Sequence, residues 1–241
     1  MAPMQLVDHS YKLDQIIPIG RNAAEYLRMF NLYNIHESRS FIDCGAGPSC
    51  FNAQMTEQGK QVVSIDPLYQ FNDAQIKQRI NDTFPELIEK IHHNKHLFRW
   101  DYFNGVEELM ESRSQTMKLF LADYEQGKST GRYQSASLPK LPFGDNAFDI
   151  ALSSHLLFLY SSTLDAEFHY QAILEMMRVA KETRIFPLID QTGEVSPWLR
   201  DTVRRVLEAG FHTQLVNVPY EFQKGANQCL IIRKPFSIVN P

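Results

Sequence analysis

Cysteine is scarce in this sequence: Cys44, Cys50 and Cys229 are the only three in 241 residues, and none belongs to a CxxC pair. An odd number at such spacings makes no disulfide framework, so a reducing, cytoplasmic setting is expected. Long apolar runs are missing too, and residues Met1 to Asp14 lack a basic stretch followed by an apolar core. Neither membrane insertion nor secretion is therefore expected. Positive charge is not in excess, since 24 Lys+Arg stand against 28 Asp+Glu for a formal net charge of -4. That balance offers no broad surface to neutralise phosphates, which disfavours nucleic acid as a partner. No internal repeat or low-complexity tract is present, so a solenoid is not expected. What the chain does have is 44% hydrophobic residues, enough to bury the core of a single domain.

Apolar residues at helical spacing (Ala23, Tyr26, Leu27, Phe30) predict a helix within Ile16 to Leu32, ahead of the first strand. Phe41-Ile42 then runs into Asp43-Cys44-Gly45-Ala46-Gly47, and Cys50 to Gln58 reads as a helix ending at Gly59. The sequence is strand, glycine turn, helix. A second strand, Gln61 to Ile65, stops at Asp66-Pro67. From 69 to 128 the alternation is interrupted by helical spacing (Ile76, Ile80, Leu87, Ile91, then Val106 to Tyr124), which predicts a helical insertion closing as a lid. Strands resume at Tyr133–Ser137, Phe148–Ser154 and Arg184–Ile189, with a helix over Leu164–Ala180. A further helix over Pro197–Ala209 precedes a hairpin of His212–Phe222 with Asn227–Arg233, turning at Gly225-Ala226. The predicted fold class is α/β: a doubly wound, mostly parallel sheet with a C-terminal antiparallel hairpin.

Ligands of such sheets sit beyond the carboxyl ends of the strands, and short polar residues gather there: Asp43 and Gly45, Asp66, Ser137, Ser154 with His155, and Asp190. Glycines after a first strand could cradle a diphosphate at a helix N-terminus. Asp43, two residues before Gly45, would repel one, whereas it would balance an ammonium group. The third glycine of the dinucleotide pattern is replaced by Cys50. Asp66, 23 residues after Asp43, ends the second strand, where an acid accepts hydrogen bonds from the hydroxyls of a ribose. Arg21 could reach over the glycine loop to a carboxylate, or be a solvated surface side chain, with Tyr11 and Tyr26 on the same side. His155 is the first candidate for a catalytic base, titrating near neutrality, and Asp190 the second. His92 and His96 have metal-ligand spacing but no third ligand nearby, so no metal is expected. Trp100, Tyr102, Phe103 and Tyr124 could line an aromatic pocket or simply pack between insertion and sheet.

The segment Phe41-Ile42-Asp43-Cys44-Gly45-Ala46-Gly47-Pro48-Ser49 resembles the first motif of the class I S-adenosylmethionine-dependent methyltransferases. Leu141 to Asp149 followed by Ser153-Ser154-His155-Leu156-Leu157 is similar to that family's stretch around the fourth strand, and Glu175 to Lys181 to the helix leading to the fifth. The resemblance implies a Rossmann-like fold and S-adenosylmethionine as cofactor, with S-adenosylhomocysteine as product. It implies cofactor contacts at Arg21, Asp43, Cys44, Gly45, Ala46, Gly47, Asp66, Pro67, Ser137, Leu138 and Ser154. Within that set, Asp43, Gly45 and Gly47 would surround the methionine end, Asp66 the ribose, and Ser137 with Leu138 the adenine. Two departures stand out: no acid lies near Ser137, and Glu182-Thr183 replaces the glycine pair that often precedes the fifth strand. The expected activity is in-line methyl transfer to an unidentified, small-molecule acceptor. A nicotinamide-dependent oxidoreductase and a noncatalytic protein that binds the same nucleoside remain open alternatives at this point.

Overall fold

A computed structural model of the protein describes residues 18–33 and 39–235; Tyr11 and the first residues of the expected N-terminal helix lie outside them. Helix α1 (Ala23–Met29) opens with a capping box in which Asn22 and Glu25 bond each other's backbone N–H groups. Strand β1 (Ser40–Cys44) is buried at every position but its first, as a strand covered on both faces must be. It leads through the glycine loop into α2 (Phe51–Glu57), and β2 (Gln61–Ile65) follows. A 3-10 turn at Pro67–Gln70 then opens the helical segment of α3 (Asp73–His93) and α4 (Val106–Ser129). The remaining elements are β3 (Tyr133–Gln134), β4 (Phe148–Ser154), α5 (Ala166–Val179), β5 (Ala180–Phe186), α6 (Leu199–Glu208), β6 (His212–Asn217) and β7 (Gln228–Arg233).

The sheet order is β3-β2-β1-β4-β5-β7-β6. Strands β1 to β5 pair in parallel, and β7 runs antiparallel to both β5 and β6. Chain order therefore reverses between β1 and β4, and the crevice beyond their carboxyl ends is the topological switch point where this class of sheet takes ligands. One core cluster joins β1, β4, β5 and α5 through Ile42, Ala151, Ile185 and Met176, and a second packs α1 and α2 on the other face through Tyr26, Phe51 and Phe186. The helical segment adds its own clusters, one around Tyr69, Phe120 and Tyr124 and one around Leu87, Phe98 and Leu109.

Several boundaries differ from those expected. Strand β5 begins at Ala180 rather than Arg184 and follows α5 without a turn, so Glu182 and Thr183 lie inside the strand. The polar pair is accommodated because Arg184 and Arg233 both pair with the buried Glu182 carboxylate, which overrides its low strand propensity. The strand ends at Phe186 rather than Ile189 because Pro187 has no N–H to continue the ladder. Strand β3 has two residues, leaving Ser137 in the loop beyond it, bridged to Lys140. The terminal strands are joined by the segment 218–227 instead of a tight turn at Gly225-Ala226, since Phe98 pairs with Gln223 and draws that segment toward the insertion.

A buried ion pair ties these parts together. Arg113 of α4 donates to both carboxylate oxygens of Glu25 on α1, at 2.6 and 2.7 Å, and Tyr220 of the 218–227 segment donates to the same carboxylate at 2.8 Å. Glu25 is 0% and Arg113 3% exposed, so removing either partner leaves an uncompensated buried charge. Arg113→Met alone is expected to cost about 3–5 kcal/mol in urea unfolding. The double variant Glu25→Leu/Arg113→Met should lose less than the two single variants summed, and strict additivity would show that the pair is not coupled.

Candidate functional site

Beyond the ends of β1, β2 and β4 lies a cavity of about 470 Å³. Its floor is the glycine loop. Gly45 has φ +71°, and a Cβ there would stand 2.5 Å from Leu156 Cδ2, so only glycine fits both the backbone and the space. Below the loop, a Cβ on Gly20 would meet the Pro48 carbonyl oxygen at 2.0 Å. The loop is held from the side by Asp66, whose two carboxylate oxygens accept from Gly47 N at 2.9 Å and Leu68 N at 2.8 Å. Tyr69 Oη donates to the Gly47 carbonyl at 2.7 Å. Burial raises the pKa of Asp66, and those two N–H bonds oppose the rise.

Asp43 sits behind this floor, 0% exposed. Tyr26 Oη donates to its Oδ2 at 3.0 Å, while Oδ1 is buried without any partner. Burial pushes its pKa up to about 7, the Tyr26 bond working against that and the Asp66 charge with it. A carboxylate held in this way lacks a cation or donor on one oxygen. Arg21 shows the complementary deficiency: its Nε is enclosed without a partner, and Nη1 reaches only the Ile19 carbonyl, at 3.4 Å.

Of the expected cofactor residues, Arg21, Gly45, Ala46, Gly47, Asp66, Pro67, Ser137, Leu138 and Ser154 all line the cavity. Asp43 and Cys44 do not; Cys44 is wholly buried, and its backbone continues β1 beside Ile65. His155 lines the cavity, but burial and the charges of Arg21 and Arg113 hold its pKa well below 6.5. Its Nδ1 lies 2.9 Å from Ser154 Oγ. The expectation that it titrates near neutrality is thus corrected: the ring stays neutral and is a weak base. Asp190 is corrected as well. It falls four residues past β5, outside the cavity wall, and accepts from Thr192 N and Oγ1 in its own turn.

The far half of the cavity is apolar. Leu87 and Ile91 of α3, Leu109 and Met110 of α4, and Leu159 and Leu164 after β4 face it. Trp100, Tyr102, Phe103 and Tyr124 do not line it but pack into the core clusters; among the rings that do line it, Phe98 and Phe222 stack at 4.8 Å between centroids. These two rings belong to a clasp in which Arg99 N donates to Phe222 O at 2.7 Å, Lys224 N to Leu97 O at 2.9 Å, and Arg99 pairs with Glu221 at 2.9 Å. The Glu25–Arg113–Tyr220 set went unmarked in the sequence reading. One signal was available, since Arg113 lies four residues from both Leu109 and Met117 on the apolar face of α4. Among the described residues no cluster of three His, Cys, Asp or Glu could hold a metal, and no helix is long and apolar enough to cross a membrane.

Asp43 has a pH signature. Its carboxyl keeps its proton in the folded protein up to about pH 7 but loses it near 3.8 when unfolded, so over that window the folded state binds more protons and stability falls as pH rises. Asp43→Asn should therefore gain stability relative to the wild-type protein between pH 5 and pH 8 in urea unfolding. A constant difference across that range would mean that the acid is ionised throughout.

No family model matches the chain. Solved structures similar to it include magnesium protoporphyrin IX methyltransferase (ChlM) from Synechocystis PCC 6803 with bound SAM, at 8% identity, 88% of this chain and 78% of that one, and a TM-score of 0.47. A SAM-dependent methyltransferase from Methanosarcina mazei is similar at 12% identity, 84% and 95% coverage and a TM-score of 0.45. In sequence, the chain is 33% identical over 224 residues to the uncharacterized protein MJ0045 of Methanocaldococcus jannaschii, covering 92% of this chain and 98% of the other. Identity at that level over nearly the whole of both chains establishes that this protein belongs to the same family as the Methanocaldococcus protein MJ0045.

Proposed function

We propose that the protein is a cytoplasmic methyltransferase that uses S-adenosylmethionine to methylate a small molecule. The observation that carries this reading is the unpartnered Asp43 Oδ1 buried behind a glycine loop. A diphosphate seated over that loop would face the charges of Asp43 and Asp66, whereas a cationic amino group would relieve them. The unpartnered Arg21 Nε on the same side suits a carboxylate. An amino acid's ammonium and carboxylate thus fit two deficiencies that the chain itself leaves open.

Asp43 with Gly45, Ala46 and Gly47 would hold the methionine end, and Arg21 its carboxylate. Asp66 retains lone pairs beyond those used by Gly47 and Leu68 and would take the ribose hydroxyls, with Pro67 beside it. Ser137 and Leu138 would flank the adenine, and Ser154 would border the methionine side. When bound, S-adenosylmethionine supplies a methyl group already activated on a sulfonium. The protein then has to align an acceptor and exclude water. The helical segment of 69–128 would act as the lid of a single domain, its α3 and α4 forming the apolar wall and the Phe98–Gln223 clasp closing the edge. His155 is suited to orient Ser154 and the loop around it.

Calorimetry with S-adenosylhomocysteine and with NADH separates this reading from a nicotinamide enzyme. S-adenosylhomocysteine should bind, with affinity rising as pH passes through about 7 because Asp43 must ionise to meet the ammonium. Asp43→Asn should weaken it at least about ten-fold. Binding of NADH with no response to S-adenosylhomocysteine would overturn the proposal.

A further inference from the structure

The cavity has more room than the glycine-loop end uses, and its remaining walls constrain what can enter. Leu87, Ile91, Leu109 and Met110 from the helical segment and Leu159 and Leu164 from the chain after β4 present hydrocarbon to this half. A polar acceptor would lose its hydration there without finding replacement partners. The charged side chains lining the cavity among the described residues are three guanidiniums, Arg21, Arg79 and Arg113, and one carboxylate, Asp66. Asp66 belongs to the loop end, where both of its oxygens already accept backbone N–H groups. Arg113 is neutralised by Glu25. Arg79 stands over the Phe71 ring, 5.2 Å from its centroid.

An amine acceptor enters protonated and has to surrender a proton before it can attack. Besides Asp66 and the arginines, the titratable groups lining the cavity among the described residues are Tyr26, His155, Tyr160 and Tyr220. Burial, and after it the charges of Arg21 and Arg113, hold His155 neutral and a weak base, the Tyr220 hydroxyl already donates to Glu25, and that of Tyr26 to Asp43. An ammonium would also find no carboxylate among the described residues of the apolar wall to offset its desolvation. An anion would be drawn instead to the positive charge that the bound cofactor carries at its methyl group.

Resting on the methyltransferase reading above, the geometry points to an acceptor with an apolar body whose reacting atom is already anionic when it binds: a carboxylate, a thiolate or an acidic phenolate. A lone pair on that oxygen or sulfur forms the new bond to the methyl carbon. The carbon–sulfur bond of the sulfonium breaks, and its electron pair passes to sulfur. The products are S-adenosylhomocysteine and a neutral ester, thioether or ether, with no proton released. No base is needed for such a step.

The test is binding of three probes that share one hydrocarbon chain, hexanoate, hexylamine and hexanol, to the protein saturated with sinefungin, whose amine stands in for the sulfonium methyl. Hexanoate should bind at least about ten-fold tighter than hexylamine and tighter than hexanol. Met110→Glu, which places a carboxylate on the apolar wall, should reduce hexanoate binding at least about ten-fold while leaving sinefungin affinity unchanged. Failure of sinefungin itself to bind overturns the cofactor reading and this one with it. Sinefungin binding accompanied by a preference for hexylamine or hexanol, or by no binding of any probe, overturns the acceptor class alone.

Discussion

A carboxylate buried behind a glycine loop with one oxygen unpartnered is the constraint around which this site is organised. Asp43 could occupy that position at lower cost as a neutral residue, and burial pushes its pKa up to about 7. Tyr26 donates to one of its oxygens, and the loop in front of it is fixed separately, by Gly45 leaving room for Leu156 and by Asp66 accepting from Gly47. A buried acid with an unmet oxygen is tolerated where a ligand completes the pairing. The orphaned Arg21 Nε on the same side gives the deficiency its opposite pole.

Helix α1 connects that pole to the rest of the cavity. It is seven residues long, too short to be stable alone, yet it carries Tyr26 to Asp43 and Glu25 to Arg113. Through Tyr220 the same carboxylate engages the segment between β6 and β7, which in turn is clasped to the insertion at Phe98 and Gln223. Loop end, insertion and terminal strands thus meet at one buried ion pair. A cavity walled by three separated stretches of chain gains a fixed shape from that convergence.

Legibility followed range. The glycine loop, Asp66 and the strand cores could be read because each is a local pattern: period-two or continuous burial, a turn residue, an acid at a strand end. The Glu25–Arg113 pair was not legible as a pair, since 88 residues separate its members, and the local signals, a capping box at Glu25 and an apolar helix face around Arg113, name no distant partner. His155 was misjudged for the same reason. Its position after β4 was correct, but its protonation is decided first by burial and then by the charges of Arg21 and Arg113, all of which arise only in the folded chain. Asp190 was misplaced by an over-extended β5, where Pro187 stopped the ladder earlier than the apolar run suggested. For Trp100, Tyr102, Phe103 and Tyr124 a pocket and plain packing were both open, and they take the packing role, while Phe98 and Phe222 are among the rings on the cavity wall. Composition says that rings will be buried but not against what.

By itself, the sequence determined the alternation of strands and helices, the switch-point crevice and the chemistry of its loop, because backbone sterics and burial periodicity act over a few residues. The tertiary structure alone decided which carboxylates are compensated, which histidine stays neutral and which side chains enclose the apolar half. Those properties depend on fields and contacts between residues distant in the chain, and such terms vanish when the chain is unfolded.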